Sequence, residues 1–304
     1  MFKTILRESV DVSGSGGNPD RHLVLSIANG FEDQKWRTRM FHQFIWDSIS
    51  QTALSEDERR SLIDNPQTLL GRAARNLRLT DDDSAIGSGS ELAEAILYGV
   101  MRSYYGALPV VPKIFYKQNT QDNAKGADSV HITIDNGDFR IWFGESKFYS
   151  SIEDSRLASI VASVAESLRT DKLRKENSII CNVSDLSSCI TDKSLLDSIK
   201  SALSERTSID EIKPRLSVPI LLLHECEKTR QAQVWDAPYE QHLVQSHRER
   251  ALSYFTKQIS LISEKVTLYR DITFHVILLP VPNKASIVAK FLDAARFHRE
   301  SGDD

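Results

Sequence analysis

Two hydrophobic periods divide this chain. In Ser129-Val130-His131-Ile132-Thr133-Ile134, β-branched residues recur at every second position, the period of a half-buried strand. Asp135-Asn136-Gly137-Asp138 follows, and its Asn-Gly dipeptide predicts a tight hairpin turn, because both central positions of such a turn take positive φ. Residues 139–143 return as the partner strand. The wider stretch from 113 to 150 carries three apolar runs separated by polar turns, and strand signals and acidic residues coincide in it.

Elsewhere the same reading predicts short strands at 2–6, 22–28, 218–224 and 272–279. Over 34–53, Trp36, Met40, Phe44 and Phe41, Ile45, Ile49 fall on neighbouring rows of a helix, an aromatic stripe read as core. Helices are expected at 55–64 and, after Asn65-Pro66, at 67–77. Ser90 is a good N-cap for a helix over 91–104 that buries Leu92, Ile96 and Val100. Leu157, Ile160, Val161, Val164 and Leu168 mark a helix over 152–170 that packs across the sheet. Residues 240–268 read as one or two helices, and 284–298 as the last. Strands alternating with helices predict an α/β fold, a mixed sheet flanked by helices. Residues 1–84 are expected as strands and helices packed on a core spanning 85–304, in one domain.

Composition narrows the class without choosing a function. The chain has 304 residues, 40% hydrophobic and 26% charged, as ordinary globular proteins do. A net charge of -4 does not advertise a nucleic-acid binder, yet it does not exclude one, because cations can be concentrated locally. Cys181, Cys189 and Cys226 are odd in number and lack CxxC spacing, which argues against a disulfide framework or a zinc cage and for a reducing cytoplasm. No signal-type segment and no run approaching eighteen apolar residues is present, so neither secretion nor a membrane span is expected.

Several motifs are set aside. Ser13-Gly14-Ser15-Gly16-Gly17-Asn18-Pro19 has no Gly-Lys-Ser/Thr and no serine elbow, and reads as a flexible connector. The acidic run 81–90 reads as a solvated turn. His224-Glu225-Cys226 are adjacent, so neighbours point to opposite faces of a strand, and His242 and His247 lack the spacing of a helical zinc pair; structural histidines are expected. Arg72, Arg75 and Arg78 share a helix sector, read as a solvated basic face with phosphate contact as the functional alternative.

The candidate chemistry lies on the hairpin. Asp128 enters one strand and Glu145 leaves its antiparallel neighbour, so the turn brings both carboxylates to one end of the sheet, and Lys147 shares the face of Glu145. Two carboxylates can hold Mg²⁺ while water and phosphate fill its other positions, and a nearby ammonium can neutralise charge in a phosphoryl transition state. The set fits phosphodiester hydrolysis. Alone, a Glu-X-Lys at a strand end also makes an ordinary solvated ion pair. Glu91 sits in the first turn of the preceding helix, where an acid also suits the dipole, and Glu94 competes with it for a catalytic role.

Asp128 followed by Glu145-Ser146-Lys147 after a hairpin, with Glu91 on a preceding helix, resembles the PD-(D/E)XK nuclease superfamily. Ala127 stands where the motif's name has proline. The wider pattern Gly89-Ser90-Glu91-Leu92, Gly126-Ala127-Asp128 and Gly144-Glu145-Ser146-Lys147-Phe148 resembles the HamA family, nuclease subunits of the Hachiman anti-phage defence system. The motif-bearing resemblance covers residues 91 to about 168. It implies a restriction-endonuclease-like core with an N-terminal helical elaboration. By the same resemblance Asp128, Glu145 and the Ser146 carbonyl would be ligands of Mg²⁺ (or Mn²⁺), Lys147 the water-positioning cation and Glu91 the helix acid. It further implies DNA as substrate and a hetero-complex with a helicase encoded beside it. A non-catalytic adaptor of the same fold, and RNA as substrate, stay open at this point; the intact Asp128, Glu145 and Lys147 argue against the adaptor.

Overall fold

The computed structural model describes residues 2–78, 90–117, 126–182 and 184–301. The acidic run 81–89, Gly89 of the wider motif and residues 118–125 of the central stretch lie outside the described residues. In chain order the strands are β1 (Lys3–Ser9), β2 (His22–Ala28), β3 (Phe31–Glu32), β4 (Lys35–Trp36), β5 (Leu108–Val111), β6 (Ser129–Asp135), β7 (Asp138–Tyr149), β8 (Leu216–Glu225) and β9 (Thr273–Val281). All but β3 and β4 join one mixed sheet in the order β1, β2, β9, β8, β7, β6, β5. The central β2, β9, β8 and β7 run parallel, and β1 at one edge and β6 and β5 at the other pair antiparallel.

The helices are α1 (Thr38–Thr52), α2 (Glu56–Ser61), α3 (Pro66–Arg75), α4 (Ser90–Tyr105), α5 (Lys113–Lys117), α6 (Asp154–Ser167), α7 (Thr170–Asn182), α8 (Ser184–Cys189), α9 (Lys193–Ala202), α10 (Ile209–Ile212), α11 (Glu227–Gln231), α12 (Ala237–Ile262) and α13 (Lys284–Glu300). Strands buried on both faces read as continuous apolar runs, and β8 and β9 do. Val218, Ile220, Leu222, Phe274, Val276 and Leu278 face a core completed by α6 and α12. Leu221, Leu223, Ile277 and Leu279 face a second core completed by α1, α4 and α13. The expected α/β fold with a mixed sheet between helices is what the chain forms.

Local chemistry moves several expected boundaries. Asp33 and Gln34 have positive φ, 48° and 59°, and close the β3–β4 ribbon, so α1 starts at Thr38 rather than near 34. Phe41, Ile45 and Ile49 are its buried row, while Trp36 and Phe44 pack partly buried beside them. The first apolar run of the central stretch is a helical turn, α5, and the strand lies before it as β5. Pro109 and Pro112 explain this: proline is tolerated on an edge strand and ends it where a donor is needed. Residues 240–268 hold one long helix, α12, capped by Asp236, whose side chain accepts from the Tyr239 N–H. The N-terminal segment contributes β1 and β2 to the sheet itself, besides α1 to α3. Among the described residues no helix is long and apolar enough to cross a membrane.

Candidate active site

The hairpin builds the site. Asn136 (φ 50°) and Gly137 (φ 78°) supply the left-handed turn, and the register runs from Asp135 opposite Asp138 to Ser129 opposite Gly144. Asp128 lies just before this register, with its carboxylate near enough to that of Glu145 to raise its pKa. The Asp128 N–H donates to the Gly144 carbonyl at 2.8 Å, which ties Asp128 to the open end of the hairpin. Asp128 Oδ2 accepts from the Ser146 N–H at 2.9 Å and from Ser146 Oγ at 3.1 Å. Lys147 Nζ lies 2.5 Å from Glu145 Oε1, and Ser163 Oγ, reaching in from α6, donates to the same oxygen at 2.5 Å. Gly144 is glycine because α4 closes on the hairpin there: a Cβ would come within 2.2 Å of Ser129 Oγ and 2.8 Å of Leu97 Cδ2.

Burial and like charge act together on Glu145. It is 6% exposed; burial raises its pKa, the Asp128 carboxylate raises it further, and Lys147 and Ser163 offset part of this. Burial pulls Lys147 down, but Glu145 and then Asp128 outweigh it, and the net shift is upward, so the side chain is an ammonium at neutral pH. Because the folded Glu145 pKa is raised, this residue contributes stability below its ordinary range and loses it as pH rises through the folded value. Asp128→Asn removes the like charge. The Glu145 pKa is then expected to fall in the metal-free protein, with stability above pH ~5 recovering accordingly. Carboxyl ¹³C titration of both proteins checks this, and an unmoved Glu145 would mean that the two carboxylates do not interact.

The structure thus brings together Asp128, Glu145, Ser146 and Lys147. Among the described residues no group of three or more His, Cys, Asp and Glu that could hold a metal is gathered, so neither helix acid joins Asp128 and Glu145 in such a cluster. Glu91 is half-buried and accepts from the Arg78 N–H at 2.8 Å. Glu94 is buried, one turn before Leu97. Arg72, Arg75 and Arg78 lie exposed.

His224 and His247, 23 residues apart, meet in the interior with Nε2 atoms 3.3 Å apart, and His247 Nδ1 lies 2.6 Å from Ser26 Oγ. Burial pulls both below the ordinary range, His224 to about 4, so they are uncharged core groups, as expected for structural histidines. The three cysteines are free thiols.

Three residues near the site went unread in the sequence. Ser163 had a weak signal, a lone hydroxyl beside the apolar stripe of α6. Lys113 and Glu176 had none. Lys113 Nζ lies 2.9 and 2.7 Å from the two carboxylate oxygens of Glu176 on α7, both residues are at most 2% exposed, and Glu176 Oε1 also accepts from the Ala127 N–H at 2.9 Å.

The fold and the hairpin define an α/β protein that carries two neighbouring acidic side chains and a lysine at the end of one hairpin of a mixed sheet. The model of the HamA family matches residues 2–295, so the chain belongs to the HamA family and is a protein associated with Hachiman defence. No curated protein matches the sequence.

Proposed function

We propose that the chain is a Mg²⁺- or Mn²⁺-dependent deoxyribonuclease of the PD-(D/E)XK type, the effector of a Hachiman complex. The observation that supports this reading is the gathering of Asp128, held by Ser146, beside Glu145 at the end of the hairpin, with Lys147 Nζ 2.5 Å from Glu145. The donor set suits a hard cation, since Mg²⁺ takes one or two carboxylates and keeps its other positions for water and phosphate. The upward pull of Asp128 on Glu145 is the repulsion that a cation between them would relieve.

Asp128, Glu145 and the Ser146 carbonyl would hold the metal. When bound, it would supply Lewis-acid polarisation of a phosphoryl oxygen and a water of lowered pKa. Ser146 fixes Asp128 through its N–H and hydroxyl, and Ser163 fixes one oxygen of Glu145. Lys147, charged at neutral pH, can orient the attacking water and neutralise charge that develops on the phosphate. Of the two helix acids, Glu94 is the better placed for an assisting role, because it is turned into the protein while Glu91 holds the Arg78 amide.

A helicase encoded beside this chain is the proposed partner. A nuclease without sequence preference damages its host, and an ATP-driven partner supplies the restraint and the DNA sensing. A lasting complex buries about 1,600 Å² in total, drawn from the N-terminal helices or from the segment after Thr170. The metal reading is tested by titration calorimetry with Mn²⁺. The wild-type chain is expected to bind, and Asp128→Asn and Glu145→Gln, still folded by circular dichroism, are expected not to; undiminished binding in both would remove the proposed ligands.

A further inference from the structure

We infer that Glu176, charged and anchored by Lys113, is a positioning residue for the candidate metal centre: it grips the backbone immediately before Asp128 and fixes where that carboxylate points. This rests on the metal-dependent reading above. The geometry is specific. Glu176 comes from α7 and Lys113 from α5, so two elements outside the hairpin meet at the strand entrance. Glu176 Oε1 accepts the Ala127 N–H at 2.9 Å while both of its oxygens hold Lys113 Nζ. Gly126 completes the grip, because a Cβ there would lie 1.8 Å from Glu176 Oε1, so only glycine lets the chain pass this close.

Asp128 is then held from both sides. Its own N–H is tied to Gly144 and its Oδ2 to Ser146, but these are contacts within the hairpin, and the chain entering it from Gly126 needs a separate anchor. A buried ion pair is a poor device for stability alone, since well-packed apolar residues often replace one without loss. Here its carboxylate serves a third group, the Ala127 amide, which an apolar pair cannot serve. Partners that orient metal ligands are worth about 10- to 100-fold in metal affinity.

Two double variants separate the anchor from the charge pair. Lys113→Met with Glu176→Gln removes both charges and keeps a carbonyl oxygen for Ala127; it is expected to bind Mn²⁺ within about threefold of wild type. Lys113→Met with Glu176→Leu removes the acceptor as well. It is expected to bind Mn²⁺ about 10- to 100-fold more weakly, with faster hydrogen exchange at the Asp128 amide. Calorimetry and exchange are both read on metal-free starting material whose fold is checked by circular dichroism. If the leucine variant does not fold, Gly126→Ala carries the same prediction, because it keeps both charges and drives a methyl against Oε1. Equal Mn²⁺ affinity in the wild-type, glutamine and acceptor-deleted chains would overturn the inference. Absence of Mn²⁺ binding in the wild-type chain would instead overturn the metal reading beneath it.

Discussion

Lys147→Ala is expected to lower turnover of DNA cleavage by about two to four orders of magnitude, while DNA affinity stays close to wild type. The asymmetry follows from where the ammonium acts. In the resting site it neutralises Glu145 at 2.5 Å, and its proposed value to the reaction would lie in meeting charge that grows only as the phosphate is attacked. Its removal also deletes one of the groups that hold the Glu145 pKa down, so the onset of activity moves to higher pH. Single-turnover rates across pH, with binding measured in Ca²⁺, separate the two effects. A variant that cleaves at the wild-type rate would reduce Glu145-Ser146-Lys147 to a strand-end ion pair.

The second large effect concerns folding. Lys113→Met alone leaves Glu176 buried without its cation, still bonded to the Ala127 amide. Breaking one side of a buried pair costs about 3–5 kcal/mol, a large part of the roughly 5–15 kcal/mol that holds a domain together. Urea unfolding of the metal-free protein reads this directly as a lower midpoint. A loss below about 1 kcal/mol would show that the pair behaves as a surface ion pair reached by water.

These two lysines also mark the limit of what the sequence discloses. Lys147 was legible because strand period and hairpin chemistry are local: Asn136-Gly137 needs positive φ, the turn sets the register, and the register brings Asp128 and Glu145 to the same end of the hairpin. Lys113 was not, because it meets Glu176 across 63 residues and no periodicity encodes that meeting. The same holds for β2, whose place beside β9 joins His22 to Phe274. The two apolar strands were evident, but their adjacency was not. At β5 the apolar run misleads, since Pro112 ends the strand and the following residues form a helical turn. The helix acid was ambiguous for a different reason. Glu91 and Glu94 are one turn apart, and only burial, with the Arg78 amide on Glu91, separates them.

Cleavage of supercoiled plasmid DNA by the purified chain, alone and with the proposed helicase partner, in Mg²⁺ and in EDTA, bears most directly on the proposed activity. Single-stranded RNA is run in parallel, and Asp128→Asn serves as the matched control. Conversion of plasmid to nicked, linear or fragmented forms is expected in Mg²⁺, with the RNA left intact, and is expected to vanish in EDTA and in the variant. Plasmid left intact in Mg²⁺ both with and without the partner, or cut equally by wild type and Asp128→Asn, would contradict a nuclease centre built on Asp128, Glu145 and Lys147.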